Sequence, residues 1–324
     1  MLIWLLRRLL QAALVLLAMT ALVFIGVNVI GNPVDIMISP DADQEVRQQA
    51  ISALGFDKPL WEQYLIFLKN ALNGDIGNSY VFNQPALDVI MQRLPATLEL
   101  AVAALILSVL IGIPLGLIAG LYPEIAVSRV IMTVSILGFS LPSFWVGLML
   151  IMLFSVMLGW LPSIGQGETV EVLGMRWSFL TWDGLKHMFL PALNLSLYKI
   201  SMVLRLTRAG TSETLHTEYI KFARAKGLSP VRIVGVHVLK NIMIPVVTVV
   251  GLGFGGTIAY AVVTETVFAW PGTGKLIIDS INVLDRPVIV AYLMMIVTIF
   301  VVINLLVDLS YTLLDPRVRL GDRG

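Results

Sequence analysis

The chain has 324 residues, 57% of them hydrophobic and only 13% charged, with a net charge of +1. Soluble domains carry about a quarter charged residues, so apolar runs of this extent exclude a water-soluble fold. The absence of cysteine excludes disulfides, thiolate metal sites and thiol nucleophiles. The histidines His187, His216 and His237 stand too far apart to form an i, i+4 metal pair.

The N-terminal residues end in the pair Arg7-Arg8, and an apolar run follows over 9–30. A signal peptide would carry an apolar stretch of only about 7–15 residues. This run is long enough to cross hydrocarbon at about 1.5 Å per residue, so 1–30 is expected to be an uncleaved first helix with its N-terminus inside. The next stretch, 31–93, is polar and carries eight acidic against four basic residues. Its 41–54 part looks helical, and 58–72 places Leu60, Tyr64, Ile66, Phe67 and Leu72 near helical spacing. A small folded extracytoplasmic insertion is expected there.

A core of spans is expected over 94–315, with helices near 95–121, 128–160, 188–210, 243–268 and 288–313, and a tail at 316–324. The 128–160 segment is too long for one span, and Pro142 lies within it beside Gly138, Ser140 and Ser143. A kinked helix and an interrupted pair both fit. Basic residues favour six spans with both termini in the cytoplasm: thirteen Lys and Arg fall inside and eight outside, although the outer segments are longer. Trp160, Trp177, Trp182 and Trp270 fall near the outer boundaries and read as interfacial anchors.

Lys199 lies near the centre of its span, about 16 Å from either end, too deep to snorkel. A central lysine costs about 2.5–3.5 kcal/mol on insertion scales. It must therefore face a wet cavity on a translocation path, or a buried acid or backbone carbonyl. Glu265 and Asp308 lie near opposite faces and read as structural hydrogen-bonding groups. The segment Pro271-Gly272-Thr273-Gly274-Lys275 is not a phosphate loop, because position 269 is Ala and position 276 is Leu. No hydrolase motif is visible, so no catalytic residue, metal site or cofactor is expected on this chain.

The basic loop 212–242 carries the clearest local signals. Thr217 is placed to cap a short helix beginning at Glu218, with Lys221, Arg224 and Lys226 towards its end. Gly227 suits the position just past the helix, and Ser229-Pro230 restarts one. Ala223 and Ala225 keep the first helix slim. A docking element fits this pattern, and so does a basic linker lying on anionic lipid.

The segment Glu218-Tyr219 … Ala223-Arg224-Ala225-Lys226-Gly227-Leu228-Ser229-Pro230, with His237, Leu239-Lys240-Asn241 and Pro245 after it, resembles the ATPase-docking loop of ABC importer permeases. The resemblance is to the peptide/nickel family, in the branch of the dipeptide and oligopeptide permease B subunits. Further stretches match in order: Gly74-Asp75-Ile76-Gly77-Asn78-Ser79, Arg93-Leu94-Pro95-Ala96-Thr97-Leu98-Glu99-Leu100, Leu141-Pro142-Ser143-Phe144-Trp145, Gly159-Trp160-Leu161-Pro162, Glu265-Thr266-Val267-Phe268-Ala269-Trp270-Pro271-Gly272 and Leu314-Asp315-Pro316-Arg317. Three positions depart from the broader loop pattern. Lys221 and Phe222 replace its opening acid and first alanine, and Lys240 stands where its closing proline would be.

The resemblance implies an all-α polytopic membrane protein with the type I ABC importer transmembrane fold, in a bacterial inner membrane. Glu218, Tyr219, Ala223, Arg224, Ala225 and Gly227 would contact a cytoplasmic ATPase, whose closure is passed on as rigid-body rotation. ATP and Mg would sit on one or two partner ATPase subunits. A second homologous permease and a periplasmic solute-binding protein complete the expected assembly. The implied cargo is a di- or oligopeptide, with nickel chelates, glutathione and oligosaccharides as alternatives. A secondary transporter would need inverted repeats and midplane ion sites, and an intramembrane enzyme paired catalytic groups; neither is seen.

Overall fold

A computed structural model describes residues 2–29 and 57–314, with isolated positions between 44 and 52. Most of the stretch 41–54, the tail 316–324 and the side chain of Asp308 lie outside the described residues. Among the described residues, five helices are long and apolar enough to cross a membrane: Leu6–Gly26, Ala86–Leu121, Trp182–Leu215, Pro230–Val267 and Arg286–Leu305. A sixth candidate is a broken pair, Ala126–Ser140 and Ser143–Met157, bent by 113°. The segment expected at 128–160 is thus an interrupted pair rather than one kinked rod. Proline disfavours the helical region for the residue before it, and Leu141 is extended at φ −82°, ψ 140°. The second piece is α-helical over Ser143–Leu150 and π-wound over Ile151–Met157.

In chain order the helices are α1 (Leu2–Val29), α2 (Leu60–Leu72), α3 (Ala86–Leu121), α4 (Ala126–Ser140), α5 (Ser143–Leu150), α6 (Trp182–Leu215), α7 (Glu218–Ala225), α8 (Leu239–Val267), α9 (Thr273–Asn282) and α10 (Arg286–Leu314). A short hairpin, β1 (Val170–Val172) with β2 (Met175–Trp177), precedes α6. The chain forms two compact units, residues 1–95 with 272–324, and residues 96–271.

In the first unit α1 packs along α10, and α2 lies against both. The Phe24 ring meets Tyr64 at 5.4 Å and Phe67 at 5.8 Å, and the Thr20 and Tyr64 hydroxyls share a 2.9 Å hydrogen bond. Further along, Leu68 and Leu72 join Ala13, Leu16 and α10 residues Met294 and Val297 around a ≈ 300 Å³ cavity. The helix expected at 58–72 therefore forms, but it leans along the first span instead of standing clear of it. Asp285, fully buried, accepts hydrogen bonds from the Ser79 hydroxyl (2.5 Å), the Tyr80 N–H (3.2 Å) and the Val81 N–H (3.4 Å). Burial pushes the Tyr80 phenol above its ordinary value, Asp285 adds to the rise, and Arg286 opposes it.

In the second unit α6 is the central helix, packed against α4, α5 and α8. Its close neighbour is the 96–121 part of α3, which presents Gly112, Gly116 and Gly120. A methyl group at Gly116 would sit 2.6 Å from Thr207 Cβ and 2.7 Å from the Leu204 carbonyl oxygen. Small residues one turn apart let helix backbones approach this closely. Glu99, buried, ties down the 161–181 segment. It accepts hydrogen bonds from Gln166 Nε2 (2.6 Å), the Ser178 N–H (3.0 Å) and the Ser178 hydroxyl (2.7 Å).

The tryptophans divide. Trp160 and Trp182 are exposed, as anchors would be, and Trp177 meets Phe179 edge-on at 5.5 Å. Trp270 corrects the expectation, being fully buried with its Nε1–H donating to the Ala96 carbonyl at 2.8 Å. Glu265 is also fully buried.

Candidate functional site

The loop after α6 folds as its residues suggest, with one exception. Thr217 occupies the N-cap position of α7, but its hydroxyl donates backwards to the Thr214 carbonyl at 2.6 Å and leaves the helix uncapped. At the other end Gly227 takes φ +75°, with its N–H on Arg224 O (2.9 Å) and the Leu228 N–H on Ala223 O (3.2 Å). These two bonds close the helix with a Schellman turn. Ser229 then caps the restart, accepting from the Arg232 N–H at 3.4 Å with Pro230 in the first turn. The chain is π-wound over Ile233–Val238 before entering α8.

Helix α7 has two faces. Inward, Ile220 (0% exposed) and Ala223 (5%) join Val203, Ile233, Val238, Ile242 and Val246 in one apolar cluster. The Tyr219 hydroxyl accepts a hydrogen bond from the Asn241 amide, and its ring lies 6.5 Å from that of His237. Outward lie Glu218, Lys221, Phe222, Arg224, Ala225, Lys226 and Gly227. The Lys221–Glu218 pair (2.8 Å) and the Lys226 ammonium 4.6 Å from the Phe222 ring centre are both on this exposed side, where ion pairs are worth about 0–1 kcal/mol.

Of the six residues expected to meet an ATPase, Glu218, Tyr219, Arg224, Ala225 and Gly227 are exposed and share one protruding element. Ala223 is turned into the bundle. Its small size makes room for the chain's own core, because positions 220 and 223 fall on one helical face. Sequence reasoning missed Ile220 and Asn241 as the residues that hold the element down. Ile220, the apolar residue one turn before Ala223, was the available signal.

The other candidate, Lys199, is some distance along α6. It lines a ≈ 290 Å³ cavity enclosed by α4, the start of α5, α6 and α8. Its ammonium donates to the Gly253 carbonyl at 2.8 Å, and that oxygen also accepts from the Thr257 hydroxyl at 2.9 Å. The structure thus joins both environments expected for a central lysine, a cavity and a backbone carbonyl. Among the described residues it is not paired with an acid.

Comparison with known proteins fits these features together. A family described as "Binding-protein-dependent transport system inner membrane component" matches residues 112–320, and its N-terminal companion matches residues 1–101. The chain is 39% identical over 314 residues to a di/tripeptide transport system permease protein, DppB, of Pseudomonas aeruginosa, covering 93% of this chain and 94% of that one. It is 35% identical to a dipeptide transport system permease protein of Alkalihalophilus pseudofirmus (98% and 100% covered). It is 37% identical to the glutathione transport system permease protein GsiC of Escherichia coli K12 (98% and 99% covered). In fold it is similar to a chain of the MetNI methionine ABC transporter in an inward-facing conformation, at TM-score 0.53 and 16% identity, over 70% of this chain and 96% of that one. The chain belongs to the binding-protein-dependent transport system inner membrane component family, as a multi-pass inner-membrane permease subunit with the type I ABC importer fold.

Proposed function

We propose that this chain forms half of the translocation pathway of an ATP-driven importer of dipeptides and other short peptides. The cargo reading rests on the relatives, which are named for dipeptide, di/tripeptide and glutathione transport. The drive reading rests on one observation: α7 is pinned to its own bundle through Ile220 and Ala223 while offering a continuous exposed face from Glu218 to Gly227. That is the form a lever needs, rigid on the inside and accessible on the outside. Glu218, Tyr219, Arg224, Ala225 and Gly227 make the contact with the ATPase, and Ala223 transmits it inward. ATP and Mg are bound by one or two partner ATPase subunits, and this chain hydrolyses nothing. A second homologous permease completes the pathway, a solute-binding protein delivers cargo, and both termini of this chain are cytoplasmic. Lys199 and its cavity lie on the path.

The test is ATP-driven uptake of a labelled dipeptide by vesicles holding the full complex. Ala225→Trp adds bulk to the exposed face without touching the core. The variant should assemble with the second permease at wild-type yield and lose uptake. Normal uptake by that variant overturns the docking face. Uptake driven by an ion gradient without ATP would make the chain part of a secondary transporter.

A further inference from the structure

The cavity at Lys199 contains a second polar group that nothing in the fold satisfies. Asn194, one and a half turns before Lys199 on α6, lines the same cavity and is 3% exposed. Its Nδ2 donates to the Thr264 hydroxyl at 3.0 Å, but its Oδ1 is buried without a hydrogen-bond partner. An unmet buried acceptor costs about 1–3 kcal/mol. Lys199 brings three ammonium donors, of which the Gly253 carbonyl takes one at 2.8 Å. The cavity therefore presents spare N–H donors carrying positive charge at Lys199, and Asn194 Oδ1 is an unmet acceptor covered within its wall.

We propose that this cavity is a transient cargo site that reads a short peptide by its two backbone signatures. The Lys199 ammonium takes a carboxylate, and Asn194 Oδ1, uncovered by rotation of its side chain away from Thr264, accepts from an amide or ammonium N–H of the same molecule. The inference rests on the peptide-importer reading and adds a place and a chemistry to it. At ≈ 290 Å³ the cavity is at the lower end of the roughly 300–1,000 Å³ range of small-ligand sites, so it holds a dipeptide-sized group and not a long chain. Tyr198, Tyr260 and Phe139 are exposed apolar walls at its rim, giving side chains of differing character a surface without a fixed partner. Specific contact goes to the backbone of the cargo, and tolerance to its side chains.

The chain has no cysteine, so a single introduced thiol reports on the cavity alone. Val263→Cys is placed at the rim and Val247→Cys, exposed elsewhere on α8, serves as the control. Full complexes in vesicles, with ATPases and binding protein, are labelled with a maleimide during turnover across a dipeptide titration. The dipeptide should slow labelling at position 263 and not at 247. Lys199→Met in the same background should raise the dipeptide concentration for half-maximal protection by about tenfold, or about 1.4 kcal/mol. Co-purification of the second permease and the ATPases with Lys199→Met at wild-type yield controls for assembly. Absence of protection, or equal protection with Lys199→Met, overturns the site. If the unmodified complex takes up no dipeptide at all, the peptide-importer reading itself falls, so the two failures are distinguishable.

Discussion

Replacing Ile220 with alanine tests whether α7 works as a pinned lever. Ile220 is fully buried in the cluster with Ala223, Ile233, Val238 and Ile242. Truncating a buried isoleucine to alanine costs about 2–5 kcal/mol. Taking about 3 kcal/mol, and a factor of ten for each 1.4 kcal/mol, the ratio of seated to unseated loop falls by roughly 100-fold. The outer face, with Glu218, Arg224 and Ala225, is chemically unchanged. Hydrogen exchange of the amides over 218–228, in the permease embedded in nanodiscs without its ATPases, should accelerate towards that factor, and in the full complex the peptide delivered per ATP should fall. Phe222→Ala removes a larger apolar side chain from the same helix, but one 62% exposed, and should leave the exchange rates within about twofold. Faster exchange in Phe222→Ala than in Ile220→Ala would refute the pinning argument.

Gly116→Ala places a methyl 2.6 Å from Thr207 Cβ and 2.7 Å from a backbone oxygen, so α3 and α6 must separate. A loss of about 1–3 kcal/mol should lower the thermal midpoint of the purified chain, whereas Gly26→Ala, with open space around it, should not. The phenol of Tyr80 is pushed up by burial, so the folded state holds its proton more tightly than the unfolded one. Its contribution to stability is fully present below pH about 10, the unfolded value, and is lost as pH rises through the raised folded value. Ultraviolet titration should show a late ionisation step above pH about 10 that Tyr80→Phe reduces by one tyrosine.

The spans were legible because length and apolarity suffice to define them, and a disturbance at Leu141-Pro142 was legible because proline disfavours the helical conformation of the residue before it. Whether it kinks or breaks the helix was not, since α6 and α8 carry Pro191 and Pro245 within continuous helix. The size of the bend was not, since 113° is set by packing of α5 on α6 and α8. Trp270 looked like an anchor from its neighbours in sequence. Its burial depends on the Ala96 carbonyl, 174 residues away, which no local pattern reveals. The loop 212–242 does fold as helix, glycine turn and helix, because the Gly227 turn and the Ser229-Pro230 restart are local events; only the cap expected from Thr217 is absent. The direction of Ala223 was missed because a helix only 8 residues long shows its inner face through tertiary partners. Asn194 carries no sequence signal at all; a polar residue on a span becomes notable only when its oxygen is seen to lack a partner.

The seat of α2 has a consequence for how the protein is made. This helix rests on α1 and also on Met294 and Val297 of α10, more than 200 residues further along the chain. During synthesis α1 and α2 leave the ribosome long before α10 exists, so one wall of that seat is missing until α10 itself has been made. The first unit is complete only when α10 packs on α1 and closes the seat of α2, some 200 residues after α2 has been made. Truncation before α10 therefore strands the N-terminal helices without their partner, and co-expression of a separate α10 fragment should restore them.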